Sequence, residues 1–162
     1  MVNGRVSFPR GYLLDVGSWS QRLPWTNSYV IRKNAAYSLM LYDVLGWLLR
    51  RTDISGLAGD MVIKGCLSAL GAVAEGLIVD ATSPPLGRRQ KMKSRIKRLS
   101  DDGVVLLPVA NELSWLWDMR NRQHLQELGS REFDVYQRTD VSRAEAVVFD
   151  LCDALKARAG AA

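Results

Sequence analysis

Apolar residues recur at steps of three and four through most of this chain, and this spacing restricts it to helical folds. One such stretch begins at Asn27 and continues to Leu48. A second runs to Ala81 from Asp60, which we predict to be its N-cap. No alternating strand pattern and no hairpin dipeptide competes with the helical spacing. The sequence therefore predicts an all-α protein.

Clusters of glycine and proline mark where the later helices begin and end. The segment Ser83-Pro84-Pro85-Leu86-Gly87 ends the second helix. A short basic helix then runs to Leu99, before the turn at Asp101-Asp102-Gly103. The next helix is predicted from about Leu106 to Leu128, with Pro108 tolerated in its first turn.

The last helix is predicted from a capping box, Ser142-Arg143-Ala144-Glu145, and extends to residue 158. The predicted architecture is an up-and-down helical bundle of four long helices plus one short helix, spanning residues 27–158. Residues 1–26 are rich in glycine, proline and aromatics, and we expect them to form an irregular N-terminal arm. The length favours a single domain over residues 1–162.

The composition excludes several classes of protein. No uncharged apolar run approaches the ~18 residues needed to cross a bilayer, and residues 1–10 lack the apolar core of a secretory signal. Cys66 and Cys152 are not spaced as metal ligands, and the chain has one histidine. We therefore expect no metal, no cofactor and no membrane partner, and we predict a reduced, cytoplasmic protein.

The net charge of +5 is concentrated in one segment, where seven basic residues fall within eleven positions without an acid. These are Arg88, Arg89, Lys91, Lys93, Arg95, Lys97 and Arg98. Such a run is either a solvated helix face or a surface that attracts a phosphate backbone. Under the second interpretation, Arg88, Arg89, Lys91 and Lys93 are the candidate RNA-binding residues.

His124, the single histidine, follows Arg120 by four residues, so on a helix both lie on one face about 6 Å apart. A helical projection places both near the middle of an apolar arc of Leu106, Val109, Ala110, Leu113, Leu116, Trp117 and Leu128. A cation and an imidazole are costly there unless they are paired. The simplest interpretation is a core histidine with satisfied nitrogens, and the alternative is a functional site.

The order of these elements resembles the HEPN superfamily of small helical-bundle domains. Glu75 stands amid small and apolar residues of the second helix, the basic helix closes on Gly103, and the next helix ends in the segment Leu116–His124. The family hallmark is an arginine, usually followed by asparagine, with a histidine shortly after. Here it is matched by Arg120, Asn121 and His124, and the resemblance covers Asn27 to Leu155.

Two features depart from the commonest family pattern. Three residues separate Arg120 from His124, a shorter gap than the usual one. Gln126 stands where toxins silenced by nucleotidyl transfer carry a tyrosine, so that mode of regulation is not expected here.

The resemblance implies a metal-independent endoribonuclease of a defence or toxin type that acts as a homodimer on RNA, with a cognate antitoxin or regulatory protein as a further partner. In this interpretation His124 transfers protons, Arg120 stabilises the phosphate, Asn121 orients either group and Glu75 supports the site. One histidine per chain cannot easily act as both base and acid, and a two-fold dimer supplies two.

Two alternatives compete with the enzyme. The first is a non-catalytic module of the same type that binds nucleotides or proteins. In it Arg120 pairs with Glu75 across the bundle, His124 is structural, and Trp115 with Met119 forms an interaction patch. The second is a helical protein in which the motif is a coincidence.

Overall fold

The computed structural model of the chain describes residues 13–83, 90–123 and 135–160. In these ranges the chain forms the helices α1 (Val16–Gln21), α2 (Tyr29–Arg51), α3 (Gly56–Thr82), α4 (Met92–Asp101), α5 (Leu107–Asn121) and α6 (Arg138–Gly160). The prediction of an all-α bundle is confirmed.

Helix α3 is the centre of the bundle, because α2, α4, α5 and α6 all pack against it. Its buried face includes Leu67, Leu70, Val73 and Leu77, each fully inaccessible to solvent. It is also the one described helix that is long and apolar enough to cross a membrane. However, 56% of that apolar window is buried within the bundle, as expected for the core helix of a soluble protein.

The N-terminal arm is not wholly irregular, which corrects the prediction for residues 1–26. The Asp15 side chain accepts a hydrogen bond from the Ser18 backbone N–H at 2.6 Å and caps α1. This capping lowers the pKa of the Asp15 carboxyl. Trp19 is buried, and its Nε1 donates to Asp43 Oδ2 on α2 at 2.9 Å. Six residues are too few to show a helical period, so the sequence pattern missed α1.

Two predicted helix starts are wrong. Helix α3 begins at Gly56 with Ser55 as its N-cap, so Asp60 lies inside the helix. Helix α6 begins at Arg138, which places the predicted capping box in the helix interior. The actual start is stabilised by Asp140, whose Oδ2 accepts a hydrogen bond from the Gln137 backbone N–H at 2.9 Å. A side chain outside the predicted box therefore makes the capping contact.

Helix α5 begins as expected, with Pro108 in its first turn. It ends at Asn121 with Arg122 as its C-cap, whereas the prediction continued it to Leu128. The Gln123 N–H donates to the Arg120 carbonyl oxygen, which closes a tighter turn after the helix. Residues 124–128 lie outside the described residues.

Asp80, near the end of α3, fixes the beginning of α2 beside it. Its buried carboxylate accepts hydrogen bonds from the backbone N–H groups of Asn27, at 2.8 Å, and Ser28, at 2.9 Å. The N-terminal end of α2 is thereby held against the C-terminal end of α3. The two helices run antiparallel, and a groove forms along their seam.

Candidate functional site

Arg120 lies in the last turn of α5 and crosses α3. Its aliphatic stem rests on Gly71, where an added Cβ would stand 3.1 Å from Arg120 Cδ. Its Nη2 contacts Glu75 Oε2 at 2.8 Å, and its guanidinium carbon lies 5.4 Å from the centre of the Trp117 ring. The absence of a side chain at Gly71 therefore allows Arg120 to lie flat across α3. The sequence analysis did not predict this close approach. Its one signal in the sequence is a glycine inside a long helix.

The Arg120–Glu75 pair is half-buried, with side-chain exposures of 32% and 33%. A pair in such contact with water contributes about 0–1 kcal/mol to stability. Glu75 therefore acts mainly to orient the guanidinium. The contact uses one terminal nitrogen of Arg120, and the planar group carries further N–H donors that an anion could bind.

The chain beyond α5 is tied to α3 immediately before His124. The Gln123 side-chain oxygen accepts a hydrogen bond from the Ser68 hydroxyl, and its amide nitrogen donates to the Lys64 carbonyl oxygen at 3.4 Å. Asn121, adjacent to Arg120, is half-buried. His124 itself lies outside the described residues. The structure thus brings together Arg120 and Glu75 and ties Gln123 to α3.

The basic run is not one solvated face. Arg88 and Arg89 lie outside the described residues, and Lys91 is exposed. Arg95 is 2% exposed and donates to the Thr82 hydroxyl at 2.6 Å. Buried in this way, Arg95 cannot contribute to an RNA-binding surface.

Three other members of the run form ion pairs. Lys93 binds Asp118 on α5 at 2.8 Å, and Lys97 and Arg98 each pair with the acid four residues later, Asp101 and Asp102. Asp118 precedes Arg120 by two residues, which is about 200° around the helix. Lys93 is therefore on the opposite side of α5 from the Arg120–Glu75 pair, so Lys93 and Arg120 do not belong to one compact site.

The prediction of an interaction patch at Trp115 and Met119 is wrong. Met119 is buried, at 7% exposure. The Trp115 ring is covered by Arg143 of α6, whose guanidinium carbon lies 3.9 Å from the ring centre. Arg143 also binds Glu112 through Nε and Nη2, at 2.5 and 2.9 Å, which lowers the pKa of the Glu112 carboxyl. The buried arc of α5 is wider than the apolar pattern indicated, because α3, α4 and α6 all pack on it.

A groove of about 320 Å³ runs along the seam of α2 and α3, and Glu75 forms part of its wall. We call it the α2–α3 groove; it is lined by Ile31, Asn34, Ala35, Ser38, Ala72, Glu75, Gly76 and Val79. Because Glu75 also holds Arg120, the groove adjoins the guanidinium. A flat polar ligand in the groove would therefore have a cation next to it.

Among the residues that the structure describes, no three His, Cys, Asp or Glu side chains are grouped so that they could hold a metal ion. No protein-family profile, curated protein or solved structure matches the chain. What the fold defines is an all-α helical bundle. The resemblance to the HEPN superfamily rests on the order of the helices and on the Arg120–His124 motif.

Proposed function

We propose that this chain is a HEPN-like, metal-independent endoribonuclease of a defence or toxin type that acts in the cytoplasm as a homodimer. The supporting observation is the placement of Arg120. Its guanidinium is held by Glu75 and Trp117 at the surface of the bundle, and one third of the side chain is open to solvent. A cation oriented in this way suits the recognition of a phosphodiester.

The reaction follows from the chemistry of RNA. The 2′-oxygen attacks the adjacent phosphorus, the P–O5′ bond breaks, and the products are a 2′,3′-cyclic phosphate and a 5′-hydroxyl. His124 takes the proton of the 2′-hydroxyl, because an imidazole with a pKa near 6.5 accepts protons at neutral pH. Arg120 stabilises the charge that builds on the non-bridging oxygens, and Asn121 orients the phosphate or the imidazole.

A second proton must reach the departing 5′-oxygen, and the chain has one histidine. A two-fold dimer that brings two His124 side chains together supplies both the base and the acid. We place the C-terminal half of α5 in this interface. Helix α2 packs on α3 rather than on α5, and its exposed apolar side chains Val30, Tyr37 and Leu41, at 64%, 53% and 49%, offer the partner a further apolar surface.

The Arg120–Glu75 pair favours a second candidate, a non-catalytic module that binds nucleotides or a protein partner such as an antitoxin. In this candidate the carboxylate neutralises Arg120 permanently and His124 is structural. The two functions differ in what happens when Arg120 is removed. A catalyst loses its rate, whereas a scaffold loses only the local pairing of the two helices.

The test is cleavage of a labelled RNA by the purified protein in EDTA, with the product ends identified. We expect cyclic phosphate ends from the wild-type protein and a loss of about 10²-fold or more in rate for Arg120→Ala. Arg122→Ala is the matched control, since Arg122 is an exposed arginine at the end of the same helix. Equal rates for both variants, or no cleavage of any RNA by the wild-type protein, would support the binding module.

The dimer is tested separately by sedimentation or light scattering at micromolar concentration. Tyr37→Glu should shift the protein towards a monomer, because it places a charge on the exposed apolar face of α2. A wild-type protein that is monomeric at that concentration would remove the dimer and, with it, the source of the second imidazole.

A further inference from the structure

The α2–α3 groove differs from an ordinary helix seam because polar groups from both helices line it. Asn34 and Ser38, one turn apart on α2, face Glu75 of α3 across the groove. An amide, a hydroxyl and a carboxylate therefore converge on one space of about 320 Å³. This volume falls at the lower end of the range of about 300–1,000 Å³ that is usual for small-ligand sites.

The remaining lining residues give the groove a flat apolar floor. Ala72 and Gly76, one turn apart on α3, have little or no side chain. Because Ile31 packs beside Gly76, a planar ring approaches the backbone of α3 most closely at Ala72. Ile31 and Val79 contribute aliphatic contacts at the walls. A planar group with polar edges fits this arrangement, since its faces contact carbon atoms and its edges reach the polar side chains of the groove.

Glu75 connects the groove to Arg120. One of its carboxylate oxygens, Oε2, contacts Arg120 Nη2 at 2.8 Å, so the groove and the guanidinium are immediate neighbours. In an RNA strand, a base in the groove has its sugar–phosphate backbone at the mouth of the groove. A neighbouring phosphate of the same strand can then reach Arg120 while the base lies against Glu75.

We propose that the α2–α3 groove binds a guanine base of RNA beside the scissile phosphate, a specificity role for Glu75 that rests on the proposed ribonuclease function. Guanine is the one standard base with two adjacent N–H donors on its Watson–Crick edge, N1–H and N2–H. A carboxylate offers acceptors only, so Glu75 matches that edge and does not match the donor–acceptor edge of adenine or cytosine. Asn34 and Ser38 bind the remaining polar atoms of the base.

The proposal is tested by calorimetric titration of the purified full chain with the four nucleoside 3′-monophosphates. We expect guanosine 3′-monophosphate to bind at least about tenfold more tightly than the other three, because one well-matched base contact changes the affinity by about that factor. Ala72→Leu places a bulky side chain on the floor of the groove and should abolish this preference. Ala146→Leu makes the same exchange at an exposed position of α6 and should leave it unchanged.

Glu75→Gln separates base recognition from a merely structural role. It should weaken the binding of guanosine 3′-monophosphate about tenfold while the other three nucleotides bind as well as before or better, since a negative charge near the phosphate is removed. Equal weakening of all four nucleotides would overturn the proposal, and so would a wild-type protein that binds the four alike or binds none.

The two proposals can fail separately. Selective binding of guanosine 3′-monophosphate by a protein that cleaves no RNA in EDTA would support the groove and remove the ribonuclease. Cleavage of RNA without any preference for guanine at the cut site, together with equal binding of the four nucleotides, would support the ribonuclease and remove the base site.

Discussion

Gly71 of α3 lies directly beneath Arg120 of α5, and a Cβ built on it would stand 3.1 Å from Arg120 Cδ and 3.3 Å from Arg120 Cβ. Glu75 follows one helical turn later on the same face and binds the guanidinium. One turn of α3 therefore supports the stem of the arginine and the next turn holds its charged end. Two positions spaced four residues apart determine where the cation of the candidate site points.

The first prediction concerns the size of residue 71. Gly71→Val should displace Arg120 and lower the free energy of unfolding by about 1–3 kcal/mol, the usual effect of overpacking. Gly71→Ala should stay within about 1 kcal/mol of wild type, because the arginine stem can move slightly and alanine favours the helix. Urea unfolding measures both. Gly76→Ala is the control, since its methyl group would meet Ile31 at an ordinary 3.5 Å. A Gly71→Val variant as stable as wild type would contradict the close contact.

The second prediction concerns His124. If it transfers protons, His124→Ala should reduce the rate of RNA cleavage by about 10²-fold or more. The melting temperature and the oligomeric state should stay close to those of wild type, because a catalytic imidazole is not needed for packing. Cleavage assays, thermal unfolding and sedimentation on the same preparation give the three readouts. A variant that unfolds would instead identify His124 as a structural residue of the core.

The third prediction concerns the basic run. Replacing Arg88, Arg89, Lys91 and Lys93 together by glutamine should weaken RNA binding regardless of sequence and reduce its salt dependence. The slope of the logarithm of the binding constant against the logarithm of the salt concentration should become shallower by about 0.7 for each phosphate that the variant no longer neutralises. Lys93→Gln alone should have a small effect, because Asp118 already neutralises Lys93. Binding curves at several salt concentrations measure the slope. If the fourfold variant binds as tightly as wild type at low salt, these four residues do not contact RNA.

The fourth prediction concerns Asp80, which holds two backbone N–H groups at the start of α2. Asp80→Ala removes the acceptor from those two part-buried groups and should lower the free energy of unfolding by about 1–3 kcal/mol. Asp80→Asn keeps one acceptor oxygen and should lie between Asp80→Ala and wild type. Asp150→Ala removes an exposed carboxylate from α6 and should be nearly neutral. Equal effects of Asp80→Ala and Asp150→Ala would contradict the capping role.

The fifth prediction concerns alkaline pH. Burial raises the pKa of the Cys66 and Cys152 thiols from 9.0 to about 12. The unfolded chain therefore releases these protons first as the pH rises above about 9, and the free energy of unfolding falls, by about 1.4 kcal/mol per thiol near pH 10. Below that range both states keep their protons and the thiols have no effect. Urea unfolding near pH 8 and pH 10 should show this decrease for wild type and a smaller decrease for the Cys66→Ala, Cys152→Ala double variant. Identical decreases in the wild type and the double variant would contradict the raised pKa of the two thiols.

The helices themselves could be predicted because apolar spacing is a local property of the chain. The stretches that became α2, α3, α4, α5 and α6 all show it. Their ends were harder to predict, because an end is fixed by whichever polar group reaches the free backbone N–H or carbonyl groups. At α6 that group is Asp140, and the sequence pattern of the capping box at Ser142 pointed elsewhere.

The sequence by itself determined that Arg120 lies on the face of α5 that turns towards the bundle and that Glu75 is an available partner. Only the tertiary structure decided that they meet, that Gly71 makes room for the arginine stem, and that Lys93 lies on the other side of α5. It also decided the burial of Arg95 and Met119. The physical reason is that helical spacing shows which residues share a face, whereas the helices packed around that face determine whether a charge meets water, an opposite charge or carbon.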